Sequence, residues 1–372
     1  MSAAPSAETI APRPAAAPAV PAAVSGLEAF RYDAQPARIV FGRGSLATLG
    51  AEIERIGCGR PLVLSTPFQA GDAERLAREH GGTAFTQAAM HTPVGVTQRA
   101  VEAARRDGAD CLIAFGGGST TGLGKAVSVR LGLPHIAVAT TYAGSEVTPI
   151  LGETEEGVKT TRRDPAILPG TVVYDPDLTL GLPVAMSVTS GLNAMAHAVE
   201  ALYAADRNPV ATMMAVEGLR ALCDALPAIV TSPQDPGARA RALYGAWLCG
   251  TVLGQVGMAL HHKLAHTLGG SFDLPHAETH AVLLPHTAAF NAEAVPGLLA
   301  PVADLFDGFG GLHGFARALG APLALREFGL KEADLDRAAD LAVARPYPNP
   351  RPLDRASIRD LLQRAWEGAP PN

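Results

Sequence analysis

The residues best equipped for chemistry lie in one stretch, Met258 to His286, which reads MALHHKLAHTLGGSFDLPHAETHAVLLPH and holds six of the chain's eleven histidines. His262 and His266 stand four apart, so on a helix they share one face. His276 follows after a Gly-rich turn and a proline. A second segment, Ser190 to His197, sets Asn193 and His197 at the same four-residue spacing. Two helices each presenting an i,i+4 polar pair, plus one histidine after a turn, describe a site assembled from several elements. Such a site can hold a metal, move a proton or stabilise an anion.

A second kind of chemistry is signalled by two loops. Gly116-Gly117-Gly118-Ser119-Thr120 follows the apolar run Asp110–Phe115 and precedes a helical stretch, so its N–H groups can cradle a phosphate at a helix N-terminus. The P-loop pattern fails, because Ser119 replaces its first glycine and Ala126 its final Ser or Thr. The GxGxxG fingerprint fails too, with Thr121 at the last glycine. Thr140-Thr141-Tyr142-Ala143-Gly144-Ser145 is a second polar loop after an apolar run, His135–Thr140. Loops at the carboxyl ends of parallel strands are where nucleotides bind in open α/β sheets.

These elements imply their own scaffold. Runs 37–42, 61–66, 110–115 and 135–140 read as strands, with helical patterns over 72–80 and 97–107 and a helix capped by Ser45 reaching Ile56. Alternation of this kind predicts an α/β domain with a parallel sheet. After Asp175–Pro183 strand signals vanish and Ala/Leu-rich helical periodicity runs to the end. The expected division is an Ala/Pro-rich disordered tail over 1–26, a dinucleotide-binding domain over 27–184 and an all-α domain over 185–372.

Composition narrows the rest. A net charge of -6 gives no footprint for nucleic acid or an anionic membrane. No apolar run approaches the roughly 20 residues of a membrane span. The four cysteines form no CxxC pair, which fits reduced core thiols in a cytoplasmic protein.

Taken together, GGGST at 116–120, TTYAGSEVTPI at 140–150, SGLNAMAHAVEALY at 190–203 and HHKLAHTLGGSFDLPHAETHA at 261–281 resemble the iron-containing alcohol dehydrogenase family, within the wider dehydroquinate-synthase-like group. The resemblance runs from about Arg38 to Gly368. It implies a dinucleotide-binding domain, a helical domain, an active site between them, NADH or NADPH as cofactor and a homodimer. The pyrophosphate would lie on Gly117, Gly118 and Ser119, with Thr120, Thr140, Thr141 and Ser145 lining the remainder. Ser65 ends a strand where a carboxylate would select NADH, so NADPH is not repelled.

The family's metal site uses one aspartate and three histidines, and the matching positions here are Asn193, His197, His262 and His276. The sole anionic ligand has become a neutral amide, a weak partner for a hard cation. The expectation is therefore no metal. Lys263 replaces a small residue between paired histidines. It is one of only four lysines among 30 cationic residues, and a compact ammonium suits a substrate carboxylate. Lys159 and Arg163 are further candidate cations. His266 matches the family's non-ligand histidine and is the expected proton donor. His261, His280 and His286 are expected to be packed core residues. These departures resemble the members that reduce the C=C bond of a small unsaturated oxo-dicarboxylate during the breakdown of aromatic compounds. A metal-dependent alcohol dehydrogenase and a non-redox lyase are the alternatives.

Overall fold

Why these segments become a sheet is visible in their composition. In the computed structural model, which describes residues 30–34, 37–156 and 158–372, β1 (Arg38–Phe41), β2 (Pro61–Leu64), β3 (Thr83–Phe85), β4 (Cys111–Gly116), β5 (His135–Ala139) and β8 (Thr171–Tyr174) form one parallel sheet in the order β1-β8-β5-β4-β2-β3. The central strands are buried on both faces, so their residues form continuous apolar runs. Alternate side chains serve opposite layers. Val63, Ile113 and Val138 meet α1 (Leu49–Arg55) and α2 (Ala70–Glu79). Leu62, Leu64 and Leu112 meet α3 (Val94–Arg106) and α4 (Gly118–Leu131).

The register sets up function. Gly116 pairs with Ala139, so β4 and β5 end level and the loops after them lie side by side. An antiparallel hairpin, β6 (Ile150–Glu155) and β7 (Val158–Arg163), leaves the second loop. The sequence patterns miss β3, β6, β7 and β8, which are short or polar. Ser45 is no cap: it lies inside a 3₁₀ turn and its hydroxyl donates to the Tyr174 carbonyl. The tail reading for 1–26 lies outside the described residues.

No strand follows Tyr174 among the described residues. The helices are α5 (Val184–Tyr203), α6 (Pro209–Thr231), α7 (Pro236–Gln255), α8 (Leu260–Phe272), α9 (His276–Ala292), α10 (Pro296–Phe306), α11 (Gly311–Ala318), α12 (Leu335–Val343) and α13 (Arg355–Glu367). The core of α5, α6 and α7 is continuous with Ala137, Ala139, Val172 and Tyr174 of the sheet. A second core joins α8 and α9 to α12 and α13. No single helix among the described residues is long and apolar enough to cross a membrane.

Two contacts lock the sheet to the helices beside the Thr140–Ser145 loop. Fully buried Arg239 of α7 donates to the Tyr142 hydroxyl at 3.2 Å, the Ser187 hydroxyl at 2.7 Å and the carbonyls of Pro233 and Leu182. Gly144 adopts φ +76° and packs backbone to backbone on Gly250, where an added Cβ would lie 2.6 Å from Gly144 Cα. Gly250→Ala should therefore displace the loop. We expect about 1–3 kcal/mol of destabilisation from overpacking and weaker nicotinamide binding, read by thermal unfolding and by fluorescence titration with NADH.

Candidate active site

Helix geometry assembles the histidines. Asn193, His197 and Glu200 fall at i, i+4 and i+7 on α5, and all three are buried. His262, Lys263 and His266 lie on α8, with His262 buried, Lys263 half-buried and His266 exposed. The expected Gly-rich turn is instead helical. α8 runs through Gly269 and Gly270 and ends at Asp273 in the left-handed region, φ 55°. His276 then opens α9, half-buried, with His280 one turn further on.

The rings meet closely. His197 Nδ1 lies 3.0 Å from His262 Nε2, and His262 Nδ1 lies 2.6 Å from a Glu200 carboxylate oxygen. Glu200 also accepts the backbone N–H groups of Ala259 at 3.1 Å and His261 at 2.7 Å, so the turn that starts α8 is fastened to α5. At the other end, the Ala143 carbonyl lies 3.4 Å from both His197 Nε2 and Asn193 Nδ2. The Thr140–Ser145 loop therefore reaches the histidine cluster directly. His266 and His276 stack with ring centres 6.5 Å apart, and His266 stands 6.0 Å from His262.

Proton counting constrains this series. An ionised carboxylate only accepts, so His262 donates through Nδ1. Burial, reinforced by the neighbouring His262, holds His197 well below the usual imidazole value, so His197 is neutral. Two neutral rings carry two N–H protons, whereas the series from Glu200 to Ala143 has three hydrogen-bond links. Two neutral rings therefore leave one of the three links without a proton.

The same geometry tests the family's metal. A ligating imidazole turns a lone pair toward the ion. Here His262 Nε2 and His197 Nδ1 point at one another. Asn193 offers only a neutral amide oxygen, which is buried without a partner. Among the described residues, the one group of three His, Cys, Asp or Glu donors lying mutually within 4.8 Å is Cys58, Asp110 and Cys111, at the amino-terminal edge of the sheet. Without its carboxylate, the donor set at Asn193, His197, His262 and His276 is a weaker match for a hard divalent cation than the family's aspartate and three histidines.

The nucleotide loops do fit a dinucleotide. Gly117 precedes α4, Gly118 and Ser119 form its first turn, and first-turn N–H groups have no acceptor within the helix. A Cβ on Gly117 would lie 2.8 Å from the Thr141 side chain, so glycine keeps the cradle open. Thr120 Oγ1 is buried and unpartnered beneath the loop. Thr140 is tied in by its N–H to the Gly116 carbonyl at 3.1 Å and by its hydroxyl to Gln69 at 3.2 Å. Thr141 and Ser145 are half-buried beside it. Ser65 departs from expectation. It is fully buried and its hydroxyl donates to the Thr66 carbonyl at 3.0 Å, so it cannot face a ribose. Phe68, 92% exposed, stands outermost at that strand end.

Other cations fall elsewhere. Lys125 is buried, and its ammonium meets three oxygens, the Ser145 and Ile150 carbonyls and the Thr148 hydroxyl, which makes it a brace for the loop. Arg163 bonds the Gly254 carbonyl. Lys263 stands 6.0 Å over the Tyr347 ring, whose hydroxyl is buried and unpartnered. Glu200 and Tyr347 are additions to the sequence reading. Glu200 was signalled by the i+7 position on the Asn193–His197 face, whereas Tyr347, more than 80 residues from Lys263, carried no local signal.

Two family profiles match the chain: "Iron-containing alcohol dehydrogenase" over residues 36–176, and the C-terminal part of the same family over residues 187–366. The chain belongs to the iron-containing alcohol dehydrogenase family. It is 63% identical to a maleylacetate reductase of Rhizobium sp. strain MTP-10005, over 93% of this chain and 100% of that protein. A maleylacetate reductase of Burkholderia cepacia is 52% identical over 93% and 100% respectively. The crystal structure of maleylacetate reductase from Agrobacterium tumefaciens superposes with a TM-score of 0.89 at 64% identity, covering 93% of this chain and 100% of that one.

Buried rings also shape stability. Burial holds His197, His261 and His280 well below the usual imidazole value, His286 at about 4 and His135 at about 3. The unfolded chain therefore takes up protons first as pH falls below about 6.5. Stability is full above that point and declines toward the folded values. Each ring contributes up to about 1.4 kcal/mol per pH unit. Urea midpoints should fall steeply between pH 7 and pH 5, and a flat profile would refute the neutral cluster.

Proposed function

We propose that the chain reduces the C=C bond of maleylacetate to give 3-oxoadipate at the expense of NADH or NADPH, as a cytoplasmic homodimer acting in aromatic-compound breakdown. High identity to maleylacetate reductases over nearly the whole chain supports this substrate. The observation that carries the chemistry is the His197–His262 hydrogen bond backed by Glu200, at the position of the family's metal. The two working parts divide near residue 184, with the cofactor on 27–184 and the acid–base groups on 185–372.

Maleylacetate is a 4-oxo-2-enedioate. Reduced nicotinamide supplies hydride to the alkene carbon β to the ketone, and the electron pair of the C=C bond moves onto the ketone oxygen as an enolate. A conjugated ketone is already electrophilic, so it needs donors at that oxygen more than a Lewis acid. His262 is held as a donor-bearing ring by Glu200. Lys263, whose ammonium stands 6.0 Å over the Tyr347 ring, takes a substrate carboxylate. His266, exposed to the cleft on the same face as His262, protonates the enolate carbon or steadies its oxygen. His276 and Asn193 line the remainder. Gly117, Gly118, Ser119, Thr120, Thr140, Thr141 and Ser145 hold the dinucleotide, and no metal takes part.

Three measurements test this. NADH consumption with freshly generated maleylacetate should far exceed NAD reduction with primary alcohols, and the reverse order would point to an alcohol dehydrogenase. Activity should survive exhaustive chelation. Loss on chelation with recovery on adding one metal per chain would overturn the metal-free reading. Lys263→Ala should chiefly raise KM, by about 10–100-fold for a lost charged contact made equally in ground and transition states. His266→Ala should chiefly lower kcat, by roughly 10²–10⁴-fold.

A further inference from the structure

Cysteine is a soft donor, and two of the chain's four cysteines come together at the amino-terminal edge of the sheet. Cys58 lies in the turn between α1 and β2, and Asp110 and Cys111 lie at the start of β4. The parallel register sets Pro61, the first residue of β2, opposite Cys111, so the two segments enter the sheet side by side. Gly57, in the left-handed region at φ +74°, turns the chain just before Cys58. One donor atom from each of Cys58, Asp110 and Cys111 lies within 4.8 Å of the others. A tetrahedral ion with sulfur at about 2.3 Å and oxygen at about 2.0 Å sets its donors roughly 3.5–3.8 Å apart. A small closure of the Cys58 side chain therefore completes three corners of such a site.

The donors are already aimed. The Asp110 carboxylate oxygens accept the Gly59 N–H at 3.0 Å and the Arg60 N–H at 2.8 Å. Each oxygen keeps a second lone pair, and hydrogen bonds of this kind orient a ligating carboxylate. Burial works against the Asp110 charge, but the N–H groups of Arg60 and Gly59 outweigh it and hold the carboxyl below its usual value. Cys58 Sγ makes only weak contacts, with the Asp110 carbonyl at 3.4 Å and the Ile56 carbonyl at 3.6 Å. Burial pushes both thiols up, so they are poor nucleophiles and resist oxidation. A bound divalent ion reverses this, because a coordinating thiol gives up its proton. Two thiolates and one carboxylate exceed the charge of such an ion by one, and the Arg60 guanidinium near Asp110 offsets the excess.

We propose that Cys58, Asp110 and Cys111 form a binding site for one borderline-soft divalent cation of the zinc type, with water at the fourth corner. The ion is structural. It ties the turn before β2 to the first residue of β4. Five residue steps separate Cys111 from Gly116 at the far end of that strand, and at about 3.3 Å per residue they span roughly 17 Å. The ion therefore sits at the opposite edge of the sheet from the nucleotide loops and touches neither cofactor nor substrate. A hard ion such as magnesium prefers an all-oxygen set and is discriminated against. The site uses none of the histidine positions and does not depend on the substrate assignment.

Cadmium is the optical probe, because charge transfer from thiolate to cadmium absorbs in the ultraviolet. Titrating the reduced, chelator-treated enzyme should give a band that saturates at one ion per chain, and zinc should displace it. Zinc X-ray absorption should then show two sulfur neighbours at about 2.3 Å. An ion held at the histidines would show nitrogen and no sulfur, so the spectra separate the two places. Cys58→Ala should abolish the band and weaken zinc binding about 100-fold or more, with NADH binding unchanged. Asp110→Asn should weaken zinc about 10–100-fold and leave the sulfur signal in place. Zinc should raise the unfolding temperature of the wild type but not of Cys58→Ala. If Cys58→Ala fails to fold, Cys58→Ser carries the same test. No band at one equivalent, a band that survives loss of Cys58, or a zinc shell without sulfur overturns the site. So does a Cys58–Cys111 disulfide in enzyme purified without reductant, read by mass spectrometry as the loss of two hydrogens.

Discussion

The structure turns on the Thr140–Thr148 segment, because among the described residues it ties the Gly-rich loop to the histidine cluster. Its start is bonded to the Gly116 carbonyl at the phosphate loop. Its middle, through the Ala143 carbonyl, is the acceptor for Asn193 and His197. Its end is clasped by Lys125. Hydride transfer demands that the donor ring and the acceptor carbon meet within about 3–3.5 Å. A loop that floated by one ångström between the two halves would forfeit that. Gly144 on Gly250 and Arg239 on Tyr142 are the packing and hydrogen-bond terms that prevent it.

Much of this was legible in the residues because helices and parallel strands have fixed periods. Four-residue spacing placed Asn193 with His197 and His262 with His266 on common faces, and the blocks after β4 and β5 marked the cofactor side. What local spacing does not encode is pairing across the fold. His261 looked like core, and it is buried, yet its Nε2 meets a ring 19 residues away. Ser65 was read as the end of its strand, at the place where a carboxylate would bind the ribose and select NADH. The strand's ladder extends one step further than the polar residue suggests, with Ser65 N–H bonded to Phe85 and its carbonyl accepting from Ala88. β3 and β8, of three and four residues, are too short for a periodic signal to rise above their surroundings.

The exchange of a carboxylate for an amide at residue 193 also has an electrostatic logic. A dicarboxylate substrate reduced through an enolate grows more negative as it reacts. A fixed carboxylate about 4 Å away would oppose it by about 4 kcal/mol at an effective dielectric of 20, unless a cation sat between them. Asn193 removes that charge. The anion required to hold the histidines is supplied two helical turns along the same face, by Glu200, which lies behind His262 and is shielded from the cleft by that ring. Negative charge is thus moved from the substrate side to the far side of the imidazole. From there it holds the His262 ring through Nδ1 at 2.6 Å. Lys263, next in the chain, adds positive charge at the rim. In the proposed reaction a buried carboxylate–imidazole pair stands where the family places its ion, and a conjugated ketone needs such an ion less than an unactivated aldehyde, whose reduction gains more from a Lewis acid.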